Sequence, residues 1–149
     1  MRLVFRKTPR TGLTYVLVRM VVDVAALVPI VFIYSTKERA LLIAPPIGLI
    51  CAAATWYLLG DTPADQPRRV LLAAGVGLVM AELTWGVGYW AGAPFVGGAA
   101  LFLGFYALSG IVEHGAAQTL SRRITLEYSL VALFGVLAVV LGPGRGQLG

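Results

Sequence analysis

The chain has 149 residues, of which 58% are apolar and only 13% charged, with a mean hydropathy of +0.84 and a single cysteine. A soluble domain carries roughly 25% charged residues to keep its surface wet, so this composition excludes a soluble globular domain, and its apolar content excludes disorder. One cysteine excludes a disulfide scaffold within the chain. What remains is a small all-α polytopic transmembrane helical bundle.

A helix crossing a hydrocarbon core about 30 Å thick needs about 20 apolar residues at a rise of about 1.5 Å each. Five stretches meet that need, residues 13–34, 40–59, 70–89, 95–112 and 124–141, and together they make residues 1–149 one transmembrane domain. The first follows a basic segment, as in a secretory signal. Its apolar run is longer than a signal's about 7 to 15 residues, is interrupted by Arg19 and Asp23, and lacks a small-residue cleavage site, so it reads as a retained anchor. The polar run Ser35-Thr36-Lys37-Glu38-Arg39 closes the first span, and a loop with two prolines and four charges, residues 60–69, closes the second. Ala91-Gly92-Ala93-Pro94 follows Tyr89-Trp90 and reads as a tight turn at headgroup level. Residues 113–123 form the last loop, and the glycine-rich residues 142–149 form a flexible tail.

Short loops rich in Lys and Arg stay on the cytoplasmic side. With five spans, Arg2, Arg6, Lys7, Arg10, Arg68, Arg69, Arg122 and Arg123 share one side, against Lys37, Arg39 and Arg145 on the other. That bias predicts a cytoplasmic N-terminus and an external C-terminus. It also accounts for a pI near 9.8 without nucleic acid as a partner.

Helices in lipid associate through small residues and a few polar contacts. Ala44, Gly48 and Ala52 on the second span, Ala73, Gly77 and Ala81 on the third, and Gly97, Ala100, Gly104 and Ala107 on the fourth predict the seams of the bundle. Pro29, Pro45 and Pro46 lie inside spans and predict kinks. Tyr15, Tyr34, Trp56, Tyr57, Trp90 and Tyr128 lie where interfacial aromatic belts are expected.

Ionisable groups inside spans are costly, so each is a candidate for function. Arg19 and Asp23, four apart on one helix face, predict an ion pair. Glu82 shares a stripe with Gly75, Trp85, Gly86 and Tyr89, which predicts a polar face pointing into the bundle. There Glu82 would be neutral and would meet the Tyr106 hydroxyl from the fourth span. Phe102, Tyr106, Ser109 and Glu113 form one stripe of the fourth span. Glu113, His114, Arg122, Arg123 and Glu127 then predict a solvated ionic cluster at the inner edge, where a lipid headgroup or partner protein is the sharper alternative.

With one cysteine and one histidine, Cys51 and His114, the chain offers no zinc site, thiol relay or bis-histidine haem site. Nucleophile-elbow, HExxH, phosphate-loop and dinucleotide motifs are absent from the sequence. No catalytic residue, metal or cofactor is expected.

From Glu82 through Trp85, Tyr89-Trp90, Gly97-Gly98, Phe105-Tyr106 and Arg122-Arg123 to Glu127-Tyr128, the sequence resembles a family of small bacterial multi-pass membrane proteins of unknown function. The resemblance covers roughly residues 82–128. It implies a bacterial inner membrane and a helical bundle, and it carries over no catalytic residues.

The expectation is therefore a non-enzymatic accessory or scaffold subunit whose partners are the lipid bilayer and other membrane proteins or itself. The alternative is a small oligomeric proton- or cation-coupled transporter or channel centred on Glu82 with Trp85 and Tyr106, with Arg19 and Asp23 as an inner gate.

Overall fold

The structure is a computed structural model that describes residues 12–36, 38–89, 94–118 and 122–141. Five α-helices form among the described residues: α1 (Leu13–Ser35), α2 (Ala40–Leu58), α3 (Gln66–Gly88), α4 (Pro94–Ala116) and α5 (Arg122–Leu141), with a short 3-10 turn at Leu59–Asp61 after α2. Among the described residues, α1, α2 with its 3-10 turn, α3 and α4 are each long and apolar enough to cross a membrane by length and composition. The expected basic N-terminal segment, the turn at Ala91-Gly92-Ala93 and the tail fall outside the described residues.

The helix ends follow local chemistry. Gly12 takes a left-handed φ of 67° before the first turn of α1, a conformation glycine adopts without a Cβ penalty. At the other end of α1, the Ser35 and Thr36 hydroxyls donate to the Phe32 and Ile33 carbonyls at 2.7 Å each, satisfying acceptors that no further turn would reach. Pro67 sits in the first turn of α3, where its missing N–H costs nothing. Gln118, with a φ of 57°, ends α4 in the left-handed region. Helix α4 thus runs four residues past the expected boundary at Val112, because Gly115-Ala116 and the turn at Ala117-Gln118 replace the loop expected from residue 113.

The α2–α3 contact is the tightest in the bundle. A methyl built on Gly48 would stand 2.7 Å from the Gly77 carbonyl oxygen, and one built on Gly77 would stand 2.6 Å from the Gly48 carbonyl oxygen. Ala81 and Ala52 flank the two glycines across the same contact. The two small-residue stripes expected on these helices therefore meet, and only glycine fits at the crossing.

Helix α4 is central, touching α1, α3 and α5, while α1 bridges α2 and α4. Its small residues divide among these neighbours instead of making one seam. Gly97 lies under the Tyr34 ring, Gly98 against Val31, and Gly110 under the Tyr128 ring. Ala100, Gly104 and Ala107 line an apolar groove of about 350 Å³ between α3 and α5, so this part of the expected α4 seam is only partly filled. The core between the helices is built from Ile30, Ile47, Cys51, Val76, Met80, Leu101 and Phe105.

The outside of the bundle is apolar. Leu13, Met20, Val21, Val28 and Phe32 on α1, Leu41, Leu42 and Leu49 on α2, and Leu71 and Leu78 on α3 are all exposed, while Arg19, Asp23 and Glu113 are buried. This is the reverse of the distribution that water selects, and it is the distribution that lipid selects.

Candidate functional site

Helix α1 buries one stripe: Arg19, Asp23, Ala26 and Ile30. Their spacing of four, three and four keeps them on one helix face, so the face that packs on α4 carries its charges inward. The matching stripe of α4 carries Tyr106, Ser109 and Glu113. Both charged groups stand toward the same end of the bundle, Arg19 about 9 Å from the start of α1 and Glu113 about 4.5 Å from the end of α4.

The Arg19 guanidinium is the hub. Its Nε donates to Asp23 Oδ2 at 3.2 Å, one terminal nitrogen donates to Glu113 Oε2, and the other donates to Ser109 Oγ at 3.1 Å. Tyr15 donates to the remaining Glu113 oxygen at 2.7 Å. The Ser109 hydroxyl in turn donates to the Tyr106 carbonyl at 3.2 Å. The guanidinium carbon also stands 5.5 Å from the Tyr106 ring centroid, within cation–π range. Tyr106 and Tyr128 rings lie 5.6 Å apart, and Tyr128 and His114 rings 5.9 Å apart, which extends the centre to α5.

Three features set this centre apart from a surface ion pair. Arg19 is 9% exposed, Asp23 8%, Glu113 5% and Ser109 0%. Its charges do not balance, since one guanidinium faces two carboxyls. Finally, Asp23 Oδ1 is buried and has no hydrogen-bond partner among the described residues. A buried polar atom left without a partner costs about 1–3 kcal/mol, so this oxygen is the least satisfied point of the centre.

The structure divides the expected inner-edge cluster. Glu113 belongs to the buried centre, because α4 continues as helix through it and the i+4 spacing from Ser109 aims it at Arg19. His114 meets Tyr128. Arg123 and Glu127 form an exposed pair at 3.2 Å on α5, the product of their own i, i+4 spacing. Arg122 opens α5, and its side chain is outside the described residues. Tyr15, Ser109 and Tyr128, which sequence reasoning set down as belt aromatics and a stripe serine, are all parts of the centre.

Glu82 corrects the sequence reading. The buried stripe of α3 is Ala73, Val76, Gly77, Met80 and Thr84. At about 100° per residue, Glu82 lies about 200° from both Met80 and Thr84, on the opposite face. It is exposed, and the expected bond to Tyr106 does not form, because Tyr106 turns to Arg19 and Tyr128. Trp85 is also exposed, at 45%. Glu82 stands about 24 Å from the start of α3 and about 9 Å from its end, well inside a helix long enough to span.

An all-α bundle with lipid-suited outer faces and a buried charge centre is a multi-pass membrane protein. Residues 2–142 match the family described as protein of unknown function (DUF5656), and the chain belongs to that family. The match takes in the residues that carry the resemblance seen in the sequence and extends well beyond them toward the N-terminus. No curated protein and no solved structure matches the chain.

Proposed function

We propose that this chain is a non-catalytic subunit of a larger assembly in a bacterial cytoplasmic membrane, with its N-terminus inside, and that it works by packing against another membrane polypeptide. The observation that carries this is the outward position of Glu82. A carboxyl group at that depth cannot be left against acyl chains without a large cost, and intramembrane ionisable groups face protein or water-filled cavities. Since Glu82 faces neither its own bundle nor, among the described residues, any covering segment, a further polypeptide is the economical partner.

The test is affinity purification of the full chain from native membranes in mild detergent, with quantification of what accompanies it. A second membrane polypeptide, or an untagged second copy, in fixed ratio is expected, and Glu82→Leu should release it while the chain stays folded. Recovery of the chain alone, with Glu82→Leu behaving identically, would contradict the assembly role.

The buried centre supports a second role, proton- or cation-coupled transport, now placed on Arg19, Asp23 and Glu113 instead of on Glu82. Two carboxyls against one guanidinium leave one charge that a proton or monovalent cation would balance. Proteoliposomes holding the chain would then show ion or proton flux that Asp23→Asn abolishes. Flux equal to that of empty vesicles would remove this role and leave the centre as a tie between α1 and α4.

A further inference from the structure

We propose that the buried centre between α1 and α4 is a proton-binding site, and that the proton it takes up is carried on Asp23 Oδ1. This deepens the second role proposed above and rests on the same charge count, but it requires binding alone and no flux.

The first support is the way donors divide between the two carboxyls. Glu113 has a donor on each oxygen, Arg19 on Oε2 and the Tyr15 hydroxyl on Oε1, the pattern that holds an ionised carboxylate. Asp23 has one donor, Arg19 Nε on Oδ2, while Oδ1 is buried with no hydrogen-bond partner in a side chain that is 8% exposed. Arg19 cannot supply the missing donor, since its terminal nitrogens are directed to Glu113 and Ser109. A charged oxygen left bare in a buried site is costly, and a proton bound there removes the charge.

The second support is the set of groups around the centre. Helix α1 brings Tyr15 and Arg19, α4 brings Tyr106 and Glu113, and α5 adds Tyr128 against Tyr106, with His114 of α4 against the far side of Tyr128. Helix α2, which also packs on α1, has no charged residue from 40 to 58, its titratable side chains being Cys51 and Tyr57. Among the described residues, Arg19 is therefore the one fixed positive charge facing two carboxyls, and a like-charged pair in one site is relieved by protonating one member. A hard metal cation gathers about six or more oxygen ligands, and no three His, Cys, Asp or Glu side chains among the described residues form a group that could hold a metal ion. A proton needs one oxygen.

The third support is the depth of Asp23. Tyr15, Arg19 and Asp23 follow one another at spacings of four, about 3, 9 and 15 Å from the start of α1. Polar groups thus reach from the half-buried Tyr15 at one boundary to the middle of a helix long enough to span. Beyond Asp23 the same stripe continues as Ala26 and Ile30, both buried. The centre is joined to the side on which α1 begins, and water on that side supplies the proton. A hydronium ion gives its proton to Oδ1, which forms the O–H bond and leaves a water molecule, with no change of oxidation state. Carboxyls held inside membrane helices are the groups that carry protons in pumps and transporters.

The test is infrared difference spectroscopy of the full chain in lipid vesicles between alkaline and acid buffer, which reads the carbonyl stretch of a protonated carboxyl. The expected result is a band that appears on acidification and shifts when the protein is made with aspartate carrying a heavy carbon isotope. It should persist in Glu82→Gln and in the double variant Asp61→Asn, Asp65→Asn, and disappear in Asp23→Asn. Glu113→Gln leaves one carboxyl to one guanidinium and should need a more acid buffer to give the same band. Circular dichroism reports whether each variant folds, and the isotope shift in the unsubstituted chain decides the matter if Asp23→Asn does not. A band that ignores the aspartate label, or that Glu113→Gln removes and Asp23→Asn leaves, would overturn the assignment to Asp23. No band at any pH would overturn proton binding and leave Oδ1 with a bound water only. Loss of the band when sodium chloride replaces choline chloride at fixed pH would overturn the proton as the resident ion. The aspartate band without proteoliposome flux would uphold the site and remove the transport role, whereas flux without the band would do the reverse.

Discussion

Arg19 and Glu113, 94 positions apart in the chain, form an ion pair inside the bundle and tie α1 to α4. The guanidinium also holds Asp23 and Ser109, so its loss would strand two carboxyls in a buried site. Removing one partner of a buried pair costs about 3–5 kcal/mol, because the survivor keeps its desolvation cost. Arg19→Met should therefore lower the thermal unfolding midpoint in detergent more than Glu113→Gln does. Equal, small shifts for both would mean that water reaches the centre.

Tyr15 is the only described donor to Glu113 besides Arg19. Tyr15→Phe keeps the ring and removes the hydroxyl, leaving a buried carboxylate oxygen unpaired. The expected loss is about 1.5–3 kcal/mol, in the range for hydrogen bonds to charged groups. Chemical denaturation of the detergent-solubilised chain reads it directly, and an unchanged midpoint would show the bond to be dispensable.

The two sets of glycines on α3 should behave in opposite ways. Gly77→Ala forces a methyl to within 2.6 Å of the Gly48 carbonyl oxygen, and should destabilise the fold by about 1–3 kcal/mol. Gly75→Ala meets open space within the chain and should leave the fold as stable or slightly more so, by up to about 1 kcal/mol from helix propensity. Matched unfolding curves check this, and similar losses for both would mean that the outer face is packed within a single chain.

At the far end of the bundle, the Tyr34 hydroxyl donates to the Val87 carbonyl at 2.9 Å while its ring lies over Gly97. Tyr34→Phe removes only the bond and should cost about 0.6–1 kcal/mol. Gly97→Ala should cost more, because the ring must move and the bond is lost with it. The order of the two unfolding midpoints is the readout.

Arg123 and Glu127 make the contrasting case. Their side chains are 89% and 62% exposed, and exposed pairs contribute little after screening. Glu127→Gln should leave the unfolding midpoint unchanged at any salt concentration. A salt-dependent loss would place this pair in a contact outside the described residues.

Much of this was legible in the sequence because membrane helices declare themselves locally. Long apolar runs, polar breaks and proline give the helices, and the stripes at Gly48 and Gly77 give the tightest seam. The Arg19–Asp23 pair is likewise a matter of spacing on one helix. The stripe Tyr106, Ser109 and Glu113 was visible too, but which helix it faces depends on long-range packing that spacing does not encode. Tyr15 and Tyr128 carried no signal distinguishing them from belt aromatics, except that Tyr15 continues the Arg19, Asp23 register by four.

Glu82 was misplaced for a different reason. A polar stripe on a membrane helix points toward protein, and taking the chain as a complete bundle turns that stripe inward. The small residues Ala73 and Gly77 claim the inward face of α3 instead, and two stripes two residues out of phase cannot share it. The polar face is then outward, where the assembly proposed above would cover it.

The most direct test of that conclusion is native mass spectrometry of the full chain released from lipid nanodiscs. If Glu82 sits in an interface, the released species has twice the 15.8 kDa chain mass, or carries a second polypeptide, and Glu82→Leu shifts it to a single chain. A species of 15.8 kDa from the unsubstituted protein, released unaccompanied from native membranes as well, would contradict it.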